Sequence, residues 1–200
     1  MRKLLIAETL PVFLFVLAGL FSPGPNVVML TASGARFGFR ATGPHLLGVP
    51  FGTGMLAAGS ALGLSTLLLT LPALKLLFQI GAALWILWLA WQTALAGRTE
   101  RTQDHGCPFT FRQAVLFQAV NPKVWAITLA ASAGFGIGLA PHQEALRLFV
   151  VFAGINLGVC LFWTTLGHLL SDFLRSENVW RAFMTLMAAL MASTVILIFA

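Results

Sequence analysis

Two proline-containing breaks interrupt stretches of this chain that are apolar enough to enter a lipid bilayer. The first reads Ser22-Pro23-Gly24-Pro25-Asn26, and the second reads Asn121-Pro122-Lys123. Lipid offers no hydrogen-bond partner to an unpaired backbone group, so a broken helix at membrane depth must face protein or a water-filled cavity. Paired interruptions at corresponding positions of two halves point to the binding site of a transporter. The breaks therefore predict a polar site inside a helical membrane protein.

The composition assigns the chain to the membrane. Of its 200 residues, 58% are apolar and only 9% are charged, and the mean hydropathy is +0.90. A soluble domain carries about 25% charged residues, so too little charge is present here to cover a globule of this size. The net charge of +6 comes from scattered single Arg and Lys residues, which form no basic stripe that could follow a nucleic-acid backbone. We therefore expect a surrounding lipid bilayer and no nucleic-acid partner.

Six stretches are long and apolar enough to cross a hydrocarbon core, which takes about 20 residues. They cover residues 4–22, 45–70, 74–96, 113–138, 146–170 and 180–200. The connections are too short for a soluble domain, so residues 1–200 form a single transmembrane domain. Residues 1–96 and 112–200 hold three spans each, and an odd number places the two halves in opposite orientations. The sequence thus predicts an all-α integral membrane protein with six transmembrane helices, arranged as two inverted three-helix repeats that each begin with a proline-broken helix.

The ends of these spans bear on the topology. Arg and Lys residues in the connections favour an orientation with both termini outside, by the positive-inside rule. Residues 25–38 either continue the first helix after a kink or form a half-helix that dips back into the protein, and periodicity leaves both open. Glu8 and Pro11 interrupt the N-terminal segment, and no A-x-A-like site precedes Ser22. We therefore expect a retained first span rather than a cleaved signal peptide.

Proline at each break frees backbone groups for a ligand. The ring has no N–H and crowds the carbonyl four residues earlier, so the three prolines free carbonyls at Gly19, Phe21 and Gln118. The N–H groups of residues 26–29 begin a new helix whose positive end suits a carboxylate, while freed carbonyls accept from an ammonium group. A zwitterionic amino acid would satisfy both kinds of group. The candidate substrate-binding residues are Pro23, Gly24, Pro25, Asn26, Asn121, Pro122 and Lys123.

Lys123 and two asparagines supply the side chains of this candidate site. Asn26 and Asn121 are neutral amides, which are less unfavourable in lipid than charges, and we expect them to orient the cargo. A cation inside a span is unfavourable and indicates function, so Lys123 is expected to bind the substrate carboxylate. Structural alternatives stay open, because membrane helices are rich in proline and the Lys123 side chain is long enough to reach the interface.

Few other residues in the spans carry reactive chemistry. Glu8 is the acid nearest to a span interior, which makes it the candidate for proton coupling, although an interfacial position is the alternative. No convergent set of acid, base, nucleophile or metal ligands is visible, so we expect no enzyme, catalytic residue, metal or cofactor. Cys107 and Cys160 lack the spacing of a zinc site or a disulfide framework.

Small and polar residues within the spans predict how the helices pack. Gly48 and Gly52 form a G-x-x-x-G pattern that lets two backbones approach closely. Gln79, Gln118 and Asn156 are mid-helix amides that we expect to hydrogen-bond between helices. These residues predict packing rather than a site.

Two arginines, Arg36 and Arg40, lie in the connection after the first break. They are four residues apart and would share one helix face. Solvated loop cations are the default interpretation. As an alternative, the pair would draw anionic groups towards a cytoplasmic vestibule.

These motifs together resemble the LysE/RhtB family of bacterial amino-acid exporters. The resemblance is carried by Ser22-Pro23-Gly24-Pro25-Asn26, by Gly34-Ala35-Arg36-Phe37-Gly38, and by Phe111-Arg112-Gln113 followed by Asn121-Pro122-Lys123. It covers the whole chain, because length, span number and a basic loop before the fourth span also fit, while Ala114 and Gln118 depart from the family pattern. It implies export of an amino acid or close derivative from the cytoplasm, driven by a proton or cation gradient. We expect an exporter of the bacterial inner membrane that works by alternating access.

The cargo expected on physical grounds is neutral. No carboxylate lies in the middle of a span to pair with a second positive charge on lysine or arginine, so a homoserine-, threonine-, leucine- or cysteine-like amino acid is the better fit. A structural or assembly membrane protein without transport activity is the alternative, because glycine-rich packing helices suit it as well. The oligomeric state is left open, with a homo-oligomer as one option.

Overall fold

The described part of the chain is helical. The computed structural model describes residues 2–22, 24–64, 72–96, 106–193 and 195–196. Its α-helices span Arg2–Phe21 (α1), Pro25–Phe37 (α2), Phe39–Gly59 (α3), Pro72–Ala96 (α4), Phe111–Val120 (α5), Pro122–Gly134 (α6), Pro141–Leu170 (α7) and Glu177–Ser193 (α8). A π-helical turn at Ser60–Leu64 extends α3, and a 3₁₀ turn at Phe173–Arg175 precedes α8. The predicted all-α class is therefore confirmed.

Helix α7 is the axis of the fold. Its 30 residues make a rod of about 45 Å at 1.5 Å per residue, and α1, α2 and α3 pack along it. Their shared core contains Val16, Leu148, Phe152 and Val159, all of which are buried. Helix α5 packs on α3, while α4 and α8 pack on each other. The broken helices are thus held by a continuous apolar core.

Residues at the first turns explain where several helices begin. Pro25, Pro122 and Pro141 stand at the first helical positions of α2, α6 and α7, where a missing N–H and a fixed φ suit the helix. Helix α5 begins with a capping box, in which Thr110 and Gln113 each accept from the other's backbone N–H. This reciprocal pair satisfies two donors that the helix itself leaves open.

Two pairs of consecutive helices are bent at the proline breaks. Helices α1 and α2 meet at 57° and α5 and α6 at 68°. Two described helices are long and apolar enough to cross a membrane alone, Phe39–Gly63 and Pro141–Leu170, and counting each bent pair as one span raises the number to four. The predicted interruption at both motifs is present, whereas the six-span inverted-repeat layout stays a prediction. Helix α2 is a separate helix, and both a broken span and a re-entrant segment fit its bend.

Two predicted boundaries are wrong. The span expected to begin at residue 45 begins earlier, because the connection before it is only Gly38, whose φ of +83° lies in the left-handed region that glycine adopts without strain. Helix α3 therefore begins at Phe39 rather than at residue 45. Helix α7 begins at Pro141 rather than at residue 146, because proline starts a helix readily. Parts of the predicted spans and connections lie outside the described residues, at 65–71, 97–105 and 197–200.

Small residues let α3 approach α5 closely. A Cβ at Gly48 would lie 2.6 Å from the Phe111 carbonyl oxygen. A Cβ at Gly52 would lie 2.9 Å from the Cα of Val115. The predicted packing role of the G-x-x-x-G pattern is therefore confirmed.

A still closer approach joins α2 to α7. A Cβ at Gly34 would lie 2.3 Å from the Thr164 carbonyl oxygen, and a Cβ at Gly167 would lie 2.1 Å from the Thr31 carbonyl oxygen. Neither position can accept a side chain unless the two backbones move apart. This contact fixes the C-terminal half of α2 against the long α7.

Replacing Gly34 or Gly167 with alanine will destabilise the fold, because the added methyl group must separate two backbones. We expect a loss of about 1–3 kcal/mol, as for overpacked cores, seen as lower thermal stability of the purified protein in detergent. Gly154 and Gly158 of α7 are matched controls, since a Cβ at either meets no atom within 4 Å. Equal thermal stability of Gly167→Ala and Gly158→Ala would contradict the close α2–α7 contact.

Candidate functional site

The two proline breaks lie against each other in the fold. A Cβ at Gly24 would lie 2.9 Å from Cδ and 3.0 Å from Nζ of Lys123. The Lys123 ammonium group donates a hydrogen bond to the Ser22 carbonyl oxygen over 2.5 Å. These two residues are 101 positions apart in the sequence, so the bond joins the end of α1 to the start of α6. The two motifs, distant in the sequence, therefore lie at one place in the fold.

Two carbonyls that proline was expected to free are in fact paired. The Gly19 carbonyl accepts from the Ser22 hydroxyl at 2.9 Å, and the Gln118 carbonyl accepts from the Asn121 N–H at 3.2 Å. Side-chain bonds and a tightened last turn are usual ways for a helix end to satisfy its carbonyls. The prediction that the Gly19 and Gln118 carbonyls are free is therefore wrong. The carbonyl that accepts from the Lys123 ammonium group is instead that of Ser22.

The first turn of α2 presents, beside this bond, two N–H groups without a hydrogen-bond partner among the described residues. The first backbone hydrogen bond of α2 runs from the Val28 N–H to the Gly24 carbonyl at 3.0 Å. Because Pro25 has no N–H, only those of Asn26 and Val27 precede it, and no carbonyl of the helix is placed to accept them. They form the positive end of the helix dipole, which suits a carboxylate.

A reciprocal amide pair connects α2 to α5. The Asn26 Nδ2 donates to Oε1 of Gln118 at 2.8 Å, and the Gln118 Nε2 donates to Oδ1 of Asn26 at 3.2 Å. The same Nε2 also donates to the Ala114 carbonyl at 2.8 Å, and Gln118 is buried. The predicted interhelical bond of Gln118 is confirmed, while the role of Asn26 in orienting cargo stays a prediction.

Asn121 caps the start of α6. Its Oδ1 accepts from the Lys123 N–H at 3.2 Å, and its carbonyl accepts from the N–H groups of Val124 and Trp125 at 3.1 and 3.2 Å. The capping oxygen is thereby occupied, so the side chain offers a ligand mainly the two N–H donors of its amide. Asn121 is buried, and its backbone holds Lys123 in the first turn of α6.

Helix α7 supplies a third wall, which the sequence motifs did not identify. Asn156 donates from Nδ2 to Oγ1 of Thr53 at 2.9 Å, and the Cys160 thiol lies 3.6 Å from Oδ1 of Asn156. The interhelical bond predicted for Asn156 is confirmed, and the Gln79 side chain lies outside the described residues. The buried Nε1 of Trp163 has no hydrogen-bond partner within the described part of the chain. Spacings of four and seven residues place these three side chains on one helix face, which is a signal that the sequence contains.

These groups enclose one small cavity. It measures about 10 Å³, about the room that one water molecule needs, so the site is closed in this conformation. Lys123 is the sole charged side chain among the described residues that line it. The described side chains include no group of three His, Cys, Asp or Glu that could hold a metal ion.

The predicted site residues divide into three groups. Gly24, Asn26, Asn121 and Lys123 line the cavity, and Pro25 and Pro122 begin the two helices beside it. Pro23 lies outside the described residues, as does the side chain of Glu8, the predicted coupling residue. The roles assigned to these residues stay predictions.

Helices broken at proline, with their N-terminal ends meeting at a closed cavity, are features of the secondary transporters. Residues 17–198 match the family model of the LysE type translocator, and this chain belongs to that family. The match confirms the resemblance that the two break motifs carried. Proteins of this family are transporters, and nothing in the described residues assigns a catalytic role.

Several curated relatives are similar over most of the chain. They include proteins named cysteine/O-acetylserine efflux protein from Escherichia coli strain K12, Shigella flexneri serotype 5b and Shigella sonnei. Each is 29% identical to this chain over 171 residues, which covers 80% of this chain and 83% of the relative. No solved structure matches the chain.

Alanine substitutions at Asn26 and Gln118 will show energetic coupling. Each single variant leaves a partner amide unpaired in a buried interface, so the double variant will lose less stability than the sum of the singles, by about 1 kcal/mol. Denaturation of the four proteins in detergent measures this difference. Gln113→Ala is the control, because this exposed glutamine bonds Thr110 instead and its effect should add to that of Asn26→Ala. Additive effects at Asn26 and Gln118 would contradict the reciprocal pair.

Proposed function

We propose that the protein exports a small neutral amino acid, or a close derivative of one, from the cytoplasm by alternating access. The prediction of an amino-acid exporter is confirmed by its family, the LysE type translocators, and by its likeness to cysteine/O-acetylserine efflux proteins. The apolar helices and the family support a multi-pass protein of the bacterial inner membrane. One observation carries the proposed mechanism: the bond between the Lys123 ammonium group and the Ser22 carbonyl, where the two helix breaks meet.

The positive side of this meeting point would bind the cargo carboxylate. The open N–H groups of Asn26 and Val27 and the Lys123 ammonium group all lie at the first turn of α2. Charge-assisted hydrogen bonds of this kind are about twice as strong as neutral ones. With one mobile cation and two fixed N–H donors, a carboxylate would be neutralised without any second charged side chain.

The Ser22 carbonyl would bind the cargo ammonium group. In the closed site this oxygen already accepts from an ammonium group, that of Lys123. An amino acid that binds there would replace Lys123 on the carbonyl and would offer Lys123 its own carboxylate in exchange. Each charge is then paired in both the empty and the loaded state, which the low dielectric inside a membrane protein demands.

A neutral side chain suits the chemistry of the remaining cavity walls. Besides Lys123, its described walls are amide, thiol, indole and aliphatic groups, so a cationic side chain would find like charge and no carboxylate. Repulsion between like charges is strong where water is excluded. Cysteine and O-acetylserine, which name the efflux proteins that this chain resembles, are small and neutral, and we propose a cargo of that kind.

Opening of the site would require movement at the N-terminal end of α2. The C-terminal half of this helix is fixed by the glycine contact between Gly34 and the Thr164 carbonyl. Its N-terminal end is held by the amide pair between Asn26 and Gln118, and the chain just before it is held by the bond from Lys123 to Ser22. A ligand can replace both sets of hydrogen bonds. Exchange of the Lys123–Ser22 bond for cargo contacts would trigger the alternating-access step.

The source of energy and the assembly state stay predictions. A proton or cation gradient is expected to drive export, and Glu8 is the proposed coupling carboxylate. A homo-oligomer is one proposed state. Family membership favours transport over the alternative of a structural or assembly protein. An export assay separates the two, because only a transporter lowers the internal amino-acid concentration of a loaded cell.

Replacing Lys123 with alanine will abolish export while leaving the protein in the membrane. Loss of a charge-assisted bond to the carboxylate corresponds to a rate decrease of about a hundredfold. Efflux of labelled cysteine or O-acetylserine from loaded proteoliposomes measures the effect. Arg112→Ala is the matched control, since Arg112 is an exposed cation on α5, the helix that precedes the second break. Efflux at the wild-type rate from Lys123→Ala would remove Lys123 from the mechanism.

A further inference from the structure

A second and larger cavity lies on another face of α2. Its volume is about 540 Å³, within the range of about 300–1,000 Å³ that small-molecule sites occupy. Met29, Ser33 and Arg36 line it from α2, whereas Val27 and Leu30 of the same helix line the central cavity. Helix α2 is therefore the wall between a closed cavity and one large enough for an amino acid.

Among the described residues, the charge that lines this second cavity is positive. Arg36 is the only Arg, Lys, Asp or Glu among the described residues that line it. Its guanidinium carbon lies 4.8 Å from the centroid of the Phe37 ring, a cation–π contact that helps to fix the side chain. A guanidinium group presents five N–H donors in a planar fork that matches a carboxylate. The cavity is thus suited to the anionic end of a small molecule.

A buried histidine supplies a second polar group. His45 of α3 lines the cavity and is only 2% exposed, and its Nδ1 has no hydrogen-bond partner among the described residues. The Phe109 ring packs against the imidazole at 5.3 Å between centroids. Buried polar atoms are almost always paired, so this imidazole points to a partner that the described protein does not provide. A ligand in the cavity is such a partner.

The two arginines that the sequence placed on one helix face lie on different helices. Gly38 separates them, so Arg36 is in the last turn of α2 and Arg40 is in the first turn of α3. That prediction is therefore wrong. Arg40 is exposed and does not line the cavity, whereas Arg36 does. Arg36 is consequently the residue to test, and Arg40 is a control with the same guanidinium group.

We propose that this cavity is a loading site, which binds the carboxylate of the cargo amino acid before the cargo reaches the central site. Arg36 binds the carboxylate, and His45 hydrogen-bonds the same ligand. The inference rests on the proposed function, because it takes the same cargo. With both termini outside, as the positive-inside rule favours, and with α1 and α2 taken as one broken span, the turn at Gly38 and the cavity beside it face the cytoplasm, where an exporter must collect its cargo.

Binding of radiolabelled cysteine to purified protein in detergent tests the loading site separately from transport. Lys123→Ala removes the cation of the central site, so the weak cysteine binding that remains in this variant reports the loading site. Adding Arg36→Ala will weaken that binding about tenfold or more, as expected for one charge-assisted interaction. Adding Arg40→Ala will leave it unchanged. His45→Phe keeps a ring against Phe109 but removes both nitrogens, and it will also weaken binding.

Transport kinetics supply an independent readout. Arg36→Ala in an otherwise wild-type chain will raise the half-saturating internal cysteine concentration about tenfold with little change in maximal efflux, because only binding before the central step is lost. If wild-type protein exports cysteine but Arg36→Ala and Arg40→Ala behave alike, the loading site is contradicted and the exporter stands. Equal cysteine binding by Lys123→Ala with and without Arg36→Ala would overturn it as well. Absence of wild-type export of any neutral amino acid would instead contradict the proposed function itself.

Discussion

The absence of hydrogen-bond partners in lipid governs the arrangement of this protein. Each proline break opens backbone groups that a straight helix would pair internally, and an unpaired group in hydrocarbon costs several kcal/mol. The fold resolves this by placing the breaks together, so that Lys123 pairs the Ser22 carbonyl and Asn121 caps the helix that carries Lys123. Bonds within each break pair the Gly19 and Gln118 carbonyls, and the second break supplies the ammonium group that pairs the Ser22 carbonyl of the first.

The pairing of Lys123 with the Ser22 carbonyl also creates a candidate binding site. A backbone carbonyl held by a side-chain ammonium group can be held equally well by the ammonium group of a ligand, and the displaced lysine is then available for the ligand's carboxylate. Helix α2 is suited to follow that exchange, because Gly34 and Gly167 fix one half of it to α7 while the replaceable hydrogen bonds between Asn26 and Gln118 hold the other. Its remaining face borders the loading cavity, so one short helix separates the place where cargo would arrive from the place where it would be enclosed.

Much of the fold and part of the candidate site could be predicted from the sequence. Low charge identified a helical membrane protein, and Pro25 and Pro122 marked two helix starts. The partners of the break residues could not be predicted, because the bonds from Lys123 to Ser22 and between Asn26 and Gln118 join positions about a hundred residues apart, and local patterns do not encode how distant helices pack. The short connection at Gly38 was missed for a similar reason, since a positive φ is a property of the folded backbone rather than of the glycine itself.

The most direct measurement is counterflow in proteoliposomes loaded with labelled cysteine, in which external analogues compete to drive exchange. If the paired breaks bind the backbone of a neutral amino acid, unlabelled cysteine will drive exchange. Cysteamine, which lacks the carboxylate, 3-mercaptopropionate, which lacks the ammonium group, and lysine, which adds a second cation, will each drive little or none. The account would be contradicted if cysteamine or 3-mercaptopropionate drove exchange at the rate seen with cysteine, or if lysine were strongly preferred. Either result would show that the binding site at Lys123 and Ser22 does not select the cargo.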